Sequence, residues 1–370
     1  MSKIYELLGY PIGDNSKKVI ESRQKAYCPF MSDRCDGGGN RYMSDINLVG
    51  NKELQSLFPG LTRVPSGICS IQTSENSSPW IICPRRLLYM GHKADESVLK
   101  GYTQNILLEK CNFPNSTKIG IWSEVKVKYI NEDDKEDIAA FDYTFDYVLM
   151  PIDKVEQSEA VSYTGIEWNV LKKILTNSGH TFALRDGKTF IEDFPIGMPI
   201  IVEVMTSSTS GGNKIKRSCI PQAFEDCMLG KPHTAPGINY RQVWARMASQ
   251  LIVKSQAAMA WNGKTIWVIQ DLLADYISSS TALDLSKFVT KHTNEVNILA
   301  FSYDQNFKNT QASETVSLYN SALYAGPIRT VNSSDPQPCF QDIIMASVCP
   351  PRTVLISALC KKQMSNRLIV

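Results

Sequence analysis

The stretch 118–130, KIGIWSEVKVKYI, followed by the acidic NEDDKED (131–137) and by FDYTFDYVLM (141–150), decides the class of fold. In the first of these, Ile119, Ile121, Val125, Val127 and Tyr129 fall on one side of an extended chain, and Glu124, Lys126 and Lys128 fall on the other. A period of two is the mark of a half-buried strand. The acidic run makes the turn, and the second apolar run returns as a strand that places Asp142 and Asp146 on one face. Further on, MPIIVEVM (198–205) reads as a third strand with Ile201, Glu203 and Met205 on one face. Between Tyr240 and Ala258 the period changes. Val243, Trp244, Met247, Leu251 and Ala258 recur at helical spacing, and KTIWVIQDLL (264–273) resumes as a strand. A helix over about 166–176 and a hairpin around 185–187 fill the interval. Strands, a packed helix and more strand give an α/β fold, a mixed sheet flanked by helices.

Working outward, residues 1 to about 27 read as a short helix and an arm, and a cysteine-bearing segment runs to about 90. A helical connector follows near 95–111. From about 278 the chain carries short strands and helices between Ser, Asn and Pro loops, with no motif and no internal repeat anywhere. The expected division is therefore 1–90, an N-terminal arm and cysteine segment; 91–277, the core; and 278–370, a C-terminal part of the same globular unit.

Composition bounds the class. With 370 residues, 43% hydrophobic and 21% charged, the chain can bury a full core. No apolar run approaches the roughly 18 residues of a membrane span, and the polar start MSKIYELLGYPIGDNSKK lacks a signal-peptide core, so a cytoplasmic protein with no membrane partner is expected. Ten cysteines in a chain this long are not a disulfide scaffold, and in a reducing compartment they serve as metal ligands or buried thiols. A net charge of +2 does not exclude DNA, because a basic cleft can be balanced by an acidic back. Local basic groups are Arg85 with Arg86, and Lys214, Lys216 and Arg217 after a Ser/Thr/Gly loop.

Four of the cysteines, Cys28, Cys35, Cys69 and Cys83, stand close to turn formers: Pro29, Asp36 with Gly37 to Gly39, Gly67 and Pro84. Four thiolates close a tetrahedral shell around zinc or iron. Gaps of six, thirty-three and thirteen residues are not those of a generic finger, so spacing alone leaves four free buried thiols as the alternative. Cys111, Cys219, Cys227, Cys339, Cys349 and Cys360 form no compact second group and read as thiols. Metal-dependent phosphodiester hydrolysis needs carboxylates converging on a divalent ion. Asp146 and Glu203 meet that need if they leave one face of adjacent strands; a solvated strand face is the competing reading.

Cys28-Pro-Phe, Cys35, and then GICSIQTSENSSPWIICPRRLL resemble the N-terminal metal-binding segment of the NotI restriction endonuclease family. The resemblance implies Cys28, Cys35, Cys69 and Cys83 as ligands of one structural iron or zinc, with a longer loop between the second and third. FDYTFDYVLMPI looks like the family's strand bearing Phe-Asp-aromatic. PIIVEVMTSS looks like its next strand, where Glu-x-Gln-Thr replaces the Glu-x-Lys of PD-(D/E)xK nucleases. Asp146 and Glu203 are then the expected Mg2+ ligands, and Glu124 matches a further acidic residue of the first strand more loosely. Met205 departs from the pattern, since a thioether donates no hydrogen bond and orients no water as an amine or amide does. Lys126, in a literal Glu-Val-Lys, is a candidate for the missing ammonium; an exposed face of alternating charges is its other reading. GINYRQVWARMASQLIVKSQ resembles the helix after the active site and offers Arg241 and Arg246 for contacts to DNA.

The implied fold is the PD-(D/E)xK mixed sheet with an N-terminal four-cysteine segment. The implied function is that of a type II restriction endonuclease of a prokaryotic restriction-modification system. It would cut double-stranded DNA at a palindromic, GC-rich site with Mg2+ and work as a homodimer, because two-fold DNA is most simply read by a two-fold protein. A catalytically degenerate DNA-binding protein on the same fold, suggested by Met205, and another Mg2+-dependent DNA nuclease are the alternatives.

Overall fold

A computed structural model describes residues 1–38, 45–91, 101–130, 139–281, 283–329 and 338–341, of which 128–130, 139 and 140 are described by their backbone alone. The acidic turn at 131–137, the start of the connector near 95–100, and Cys349 and Cys360 lie outside them.

The N-terminal part forms β1 (Lys3–Leu7), β2 (Tyr10–Pro11), α1 (Lys17–Gln24), β3 (Tyr27–Cys28), β4 (Asp33–Arg34), β5 (Asp45–Asn47), α2 (Lys52–Ser56), β6 (Arg63–Pro65), β7 (Ile68–Gln72), β8 (Trp80–Ile81) and α3 (Pro84–Leu87). Next come α4 (Tyr102–Cys111), β9 (Ile119–Ile130), β10 (Ala139–Glu156), α5 (Gln157–Thr164), α6 (Trp168–Asn177), β11 (Phe182–Arg185), β12 (Lys188–Pro195) and β13 (Ile200–Met205). The last third holds α7 (Ile220–Met228), α8 (Tyr240–Ala260), β14 (Lys264–Gln270), α9 (Asp271–Ser280), β15 (Val296–Tyr303) and β16 (Leu318–Gly326). The fold is mixed α/β with sheets flanked by helices. Among the described residues no helix is long and apolar enough to cross a membrane.

The main sheet runs β11-β12-β10-β13-β14-β15-β16, with β9 paired along β10. β13, β14 and β15 are parallel; the other pairs are antiparallel. The parallel strands IIVEVM, KTIWVIQ and VNILAFSY are buried almost throughout, as strands covered on both faces must be. On one face Met205, Trp267 and Ile298 meet Val243, Met247 and Leu251 of α8 and Leu273 of α9. On the other, Val202, Val268 and Leu299 meet Leu87 and Leu88 at α3 and Leu107 of α4.

A second sheet, β2-β1-β7-β8, belongs to the N-terminal segment. Its Ile4, Leu7 and Ile71 join the same core as Met205 and Trp267, so the cysteine segment is packed onto the main sheet. The opening residues are thus not a helix and an arm alone. KIYEL is an interior strand, and α1 follows it. Five residues hold too little periodicity to show this, and β1 takes its main partner from β7, some sixty residues on.

Two boundaries differ from the sequence reading. The third strand begins at Ile200 because Met198 is exposed, and β10 continues through Pro151 to Glu156 to carry the inserted sheet. α5 is an addition to the expected elements, whereas α6 and the β11–β12 hairpin, turning at Asp186 and Gly187, fill the expected interval. Beyond 277, β15 and β16 extend the main sheet.

Candidate active site

β10 pairs with β12, β13 and β9 over different stretches, and the difference between the last two makes a fork. It pairs with β13 only from Tyr147 to Leu149, whereas its pairing with β9 runs on to Ala139. Asp146 is the first β10 residue inside the fork, and its Oδ2 accepts the backbone N–H of Val204 on β13 at 2.8 Å. By register, the residue facing it after the Tyr147–Val202 pair is Glu203. Two carboxylates predicted from different strands therefore share one side of the sheet.

The third member is a residue that the sequence reading does not single out. Lys254 lies on the buried stripe of α8 with Val243, Met247, Leu251 and Ala258. Its Nζ donates to Glu203 Oε2 at 2.6 Å and to the Thr144 carbonyl at 2.7 Å, and it sits 5.4 Å from the centre of the Phe145 ring. One ammonium thus ties helix to both strands at the mouth of the fork. A signal is present in the sequence, because Lys254 interrupts an apolar stripe at helical spacing, and a buried lysine demands a partner.

Glu203 is 2% exposed at its side chain and Lys254 is 4% exposed. Burial, reinforced by the negative charge of Asp146, pushes the Glu203 carboxyl up to about 8, against the opposing pull of Lys254. Its second oxygen, Oε1, is buried and meets no well-formed hydrogen bond among the described residues. A buried carboxylate oxygen with no donor, beside another carboxylate, is suited to a proton or a divalent cation. The donor set, all hard oxygen, fits Mg2+ better than a soft ion.

A small cleft of about 100 Å³ opens over the fork, lined in part by Arg85, Glu124, Asp146, Tyr147, Thr206 and Arg246. Glu124 faces Asp146 by register, between the Val125–Phe145 and Ser123–Tyr147 pairs, and its φ of 52° is left-handed. Like charges opposite each other on a strand pair repel, and a left-handed non-glycine costs about 1–2 kcal/mol. Met205 is buried, and its sulfur accepts a contact from Arg246 Nη2 at 3.4 Å, so it supports an arginine at the cleft. Lys126 does not supply the ammonium expected of it. It pairs with Asp142 at 3.3 Å on an exposed face, because it stands opposite Thr144 and points along the open hairpin; the ammonium at Glu203 is that of Lys254. Arg241 is exposed at the start of α8.

The cysteine segment forms a wall of this cleft. Cys28, Cys69 and Cys83 are buried and Cys35 is partly so, all as free thiols. They are mutual neighbours: burial and then Cys83 push Cys28 and Cys35 up to about 12, and a hydrogen bond between Cys69 and Cys83 raises the first and lowers the second. Backbone N–H groups point at every sulfur: Phe30 and Met31 at Cys28, Gly37 at Cys35, Gly9 at Cys69, and Arg85 and Arg86 at Cys83. Such donors favour thiolates, the form in which sulfur binds zinc or iron. As placed, no three Cys, His, Asp or Glu side chains among the described residues stand spaced to hold an ion. Gly38 and Pro84, beside the cluster, also line the cleft.

Compared with known proteins, the chain matches no family model, no curated protein and no solved structure.

Proposed function

We propose that this protein is a Mg2+-dependent phosphodiester hydrolase cutting double-stranded DNA, a type II restriction endonuclease of the NotI kind acting as a homodimer on a palindromic, GC-rich site. The observation that carries the reading is the convergence of Asp146, Glu203 and Lys254 where β10 parts from β13. A buried glutamate and a half-buried aspartate on adjacent strands, with a buried ammonium on the glutamate, are a construction for charge chemistry; a solvated strand face needs none of it.

In this reading Asp146 and Glu203 would hold Mg2+, with Glu124 at the outer edge. When bound, the ion polarises the phosphate and acidifies water. Glu203, raised by burial, would have to give up its proton to solvent to serve as a ligand. Lys254, fixed by the Thr144 carbonyl, takes the place that glutamine holds at the Met205 position in the resembled family and lysine in its relatives. Its ammonium steadies negative charge on the attacking oxygen and the phosphate. The four cysteines would hold a structural iron or zinc.

The test is digestion of sequenced GC-rich DNA with and without Mg2+, beside Asp146→Ala, Glu203→Ala and Lys254→Ala. Discrete fragments, lost in all three variants, are expected. A smear would point to a nuclease without sequence preference. Binding with no cutting by the wild type would sink the enzymatic reading in favour of a degenerate fold, the reading that Met205 suggests.

A further inference from the structure

Two consecutive arginines follow Cys83, and the structure commits them differently. Arg86 turns inward: its Nε lies 3.0 Å from both oxygens of Glu6, its Nη2 donates to the Val316 carbonyl at 2.7 Å, and its plane is flanked by Phe30 and Tyr303. Arg85 turns toward the cleft. Its Nε is held firmly by Asp36 at 3.1 Å, but its outer nitrogens are held loosely, Nη1 at 3.4 Å from the Tyr147 hydroxyl and Nη2 at 3.8 Å from Glu124. A guanidinium fixed at one end, 16% exposed, with the other end only loosely engaged in the cleft that Asp146 also lines, has a fork that an anion can take over.

What fixes Arg85 is the cysteine cluster. Its backbone N–H points at the Cys83 sulfur, and its anchor Asp36 directly follows Cys35. We propose that Arg85 contacts a phosphate of the substrate backbone, with Asp36 its positioning residue, so that the cysteine cluster acts on the cleft by setting where this guanidinium stands. This rests on the DNA-cutting reading of the fork. A phosphodiester is a stronger partner for the open fork than a carboxylate at 3.8 Å, and Glu124 is freed from Arg85 as it engages a cation.

The salt dependence of DNA affinity separates contact from support. Each phosphate contact contributes about 0.9 to the slope of log affinity against log salt, and a merely structural arginine contributes nothing to it. GC-rich duplex is titrated with the full-length protein in Ca2+, which permits binding without cutting. Per subunit, Arg85→Ala should lower the slope by about 0.9 and Arg85→Lys should restore it. Asp36→Asn should weaken binding several-fold in the wild type and add nothing to Arg85→Ala, because both act through one group. If the wild type binds DNA but Arg85→Ala leaves the slope unchanged, the phosphate contact is wrong while the nuclease reading stands. Additive effects of Asp36→Asn and Arg85→Ala would overturn the positioning role. A wild type that binds no DNA under any condition overturns the DNA-cutting reading itself.

Discussion

Glu6 and Glu203 are both buried glutamates with a basic partner, yet the protein treats them in opposite ways. Glu6 is fully satisfied: Arg86 grips both its oxygens at 3.0 Å, and the hydroxyls of Ser70 and Tyr303 donate at 2.8 and 2.5 Å. Glu203 has one ammonium on one oxygen and, among the described residues, no well-formed hydrogen bond on the other, with Asp146 alongside. A buried charge costs several kcal/mol unless its hydrogen bonds are completed. Where they are complete, the pair is a joint, here between β1, β7, α3 and β15. Where they are left incomplete next to a second carboxylate, the unmet demand is for a ligand. The half-satisfied glutamate, not the finished ion pair, marks the site.

The contrast can be broken most forcefully at the fork. Glu203→Gln and Lys254→Ala should each reduce Mg2+-dependent DNA cleavage by on the order of a thousandfold, measured as single-turnover rates, with the far-ultraviolet circular dichroism unchanged. The joint should respond in stability. Arg86→Met strands Glu6 with its remaining hydroxyls and is expected to cost about 3–5 kcal/mol in urea unfolding. Lys254→Met should cost only about 1–2 kcal/mol, because Glu203 keeps its proton instead. Equal losses in the two variants would erase the distinction.

The pH dependence sharpens it further. The folded protein holds a proton on Glu203 up to about pH 8, whereas the unfolded chain releases it near 4.5. Between those values the native state binds more protons, so this group's contribution to stability declines as pH rises through the window. Glu203→Gln removes that decline. Its melting temperature relative to wild type should therefore climb between about pH 5 and about pH 8 in metal-free buffer, and a constant offset would contradict the assignment. The smallest effect belongs to Lys126→Ala. Its exposed pair with Asp142 should contribute no more than about 0.5 kcal/mol to unfolding, and the cleavage rate should not change.

The β9–β10 hairpin, β13, α8 and β14 are legible in the sequence because each carries enough local period to declare itself. β1 is not, since its five residues are specified by partners at 68–72 and by Arg86. VNILAFSY at 296–303 escapes notice for the opposite reason: a short continuous apolar run has no period to read. At the site, Asp146 and Glu203 stand out as acids in apolar strands, but the fork that joins them does not, because it depends on how far β10 pairs with β13. Lys254 is readable as a charge in an apolar stripe, though it is easily passed over between Leu251 and Ala258. Nothing in Cys83-Pro-Arg-Arg foretells that one arginine turns inward and the other toward the cleft.

The Glu6 joint also fixes when this molecule can finish. Tyr303 is separated from Glu6 by 297 residues. At a synthesis rate of about 5–20 residues per second, β1 leaves the ribosome about 15–60 s before the strand that completes its hydrogen bonds. Through that interval Glu6 has only Ser70 and Arg86 to draw on, and its bonding is completed when β15 arrives.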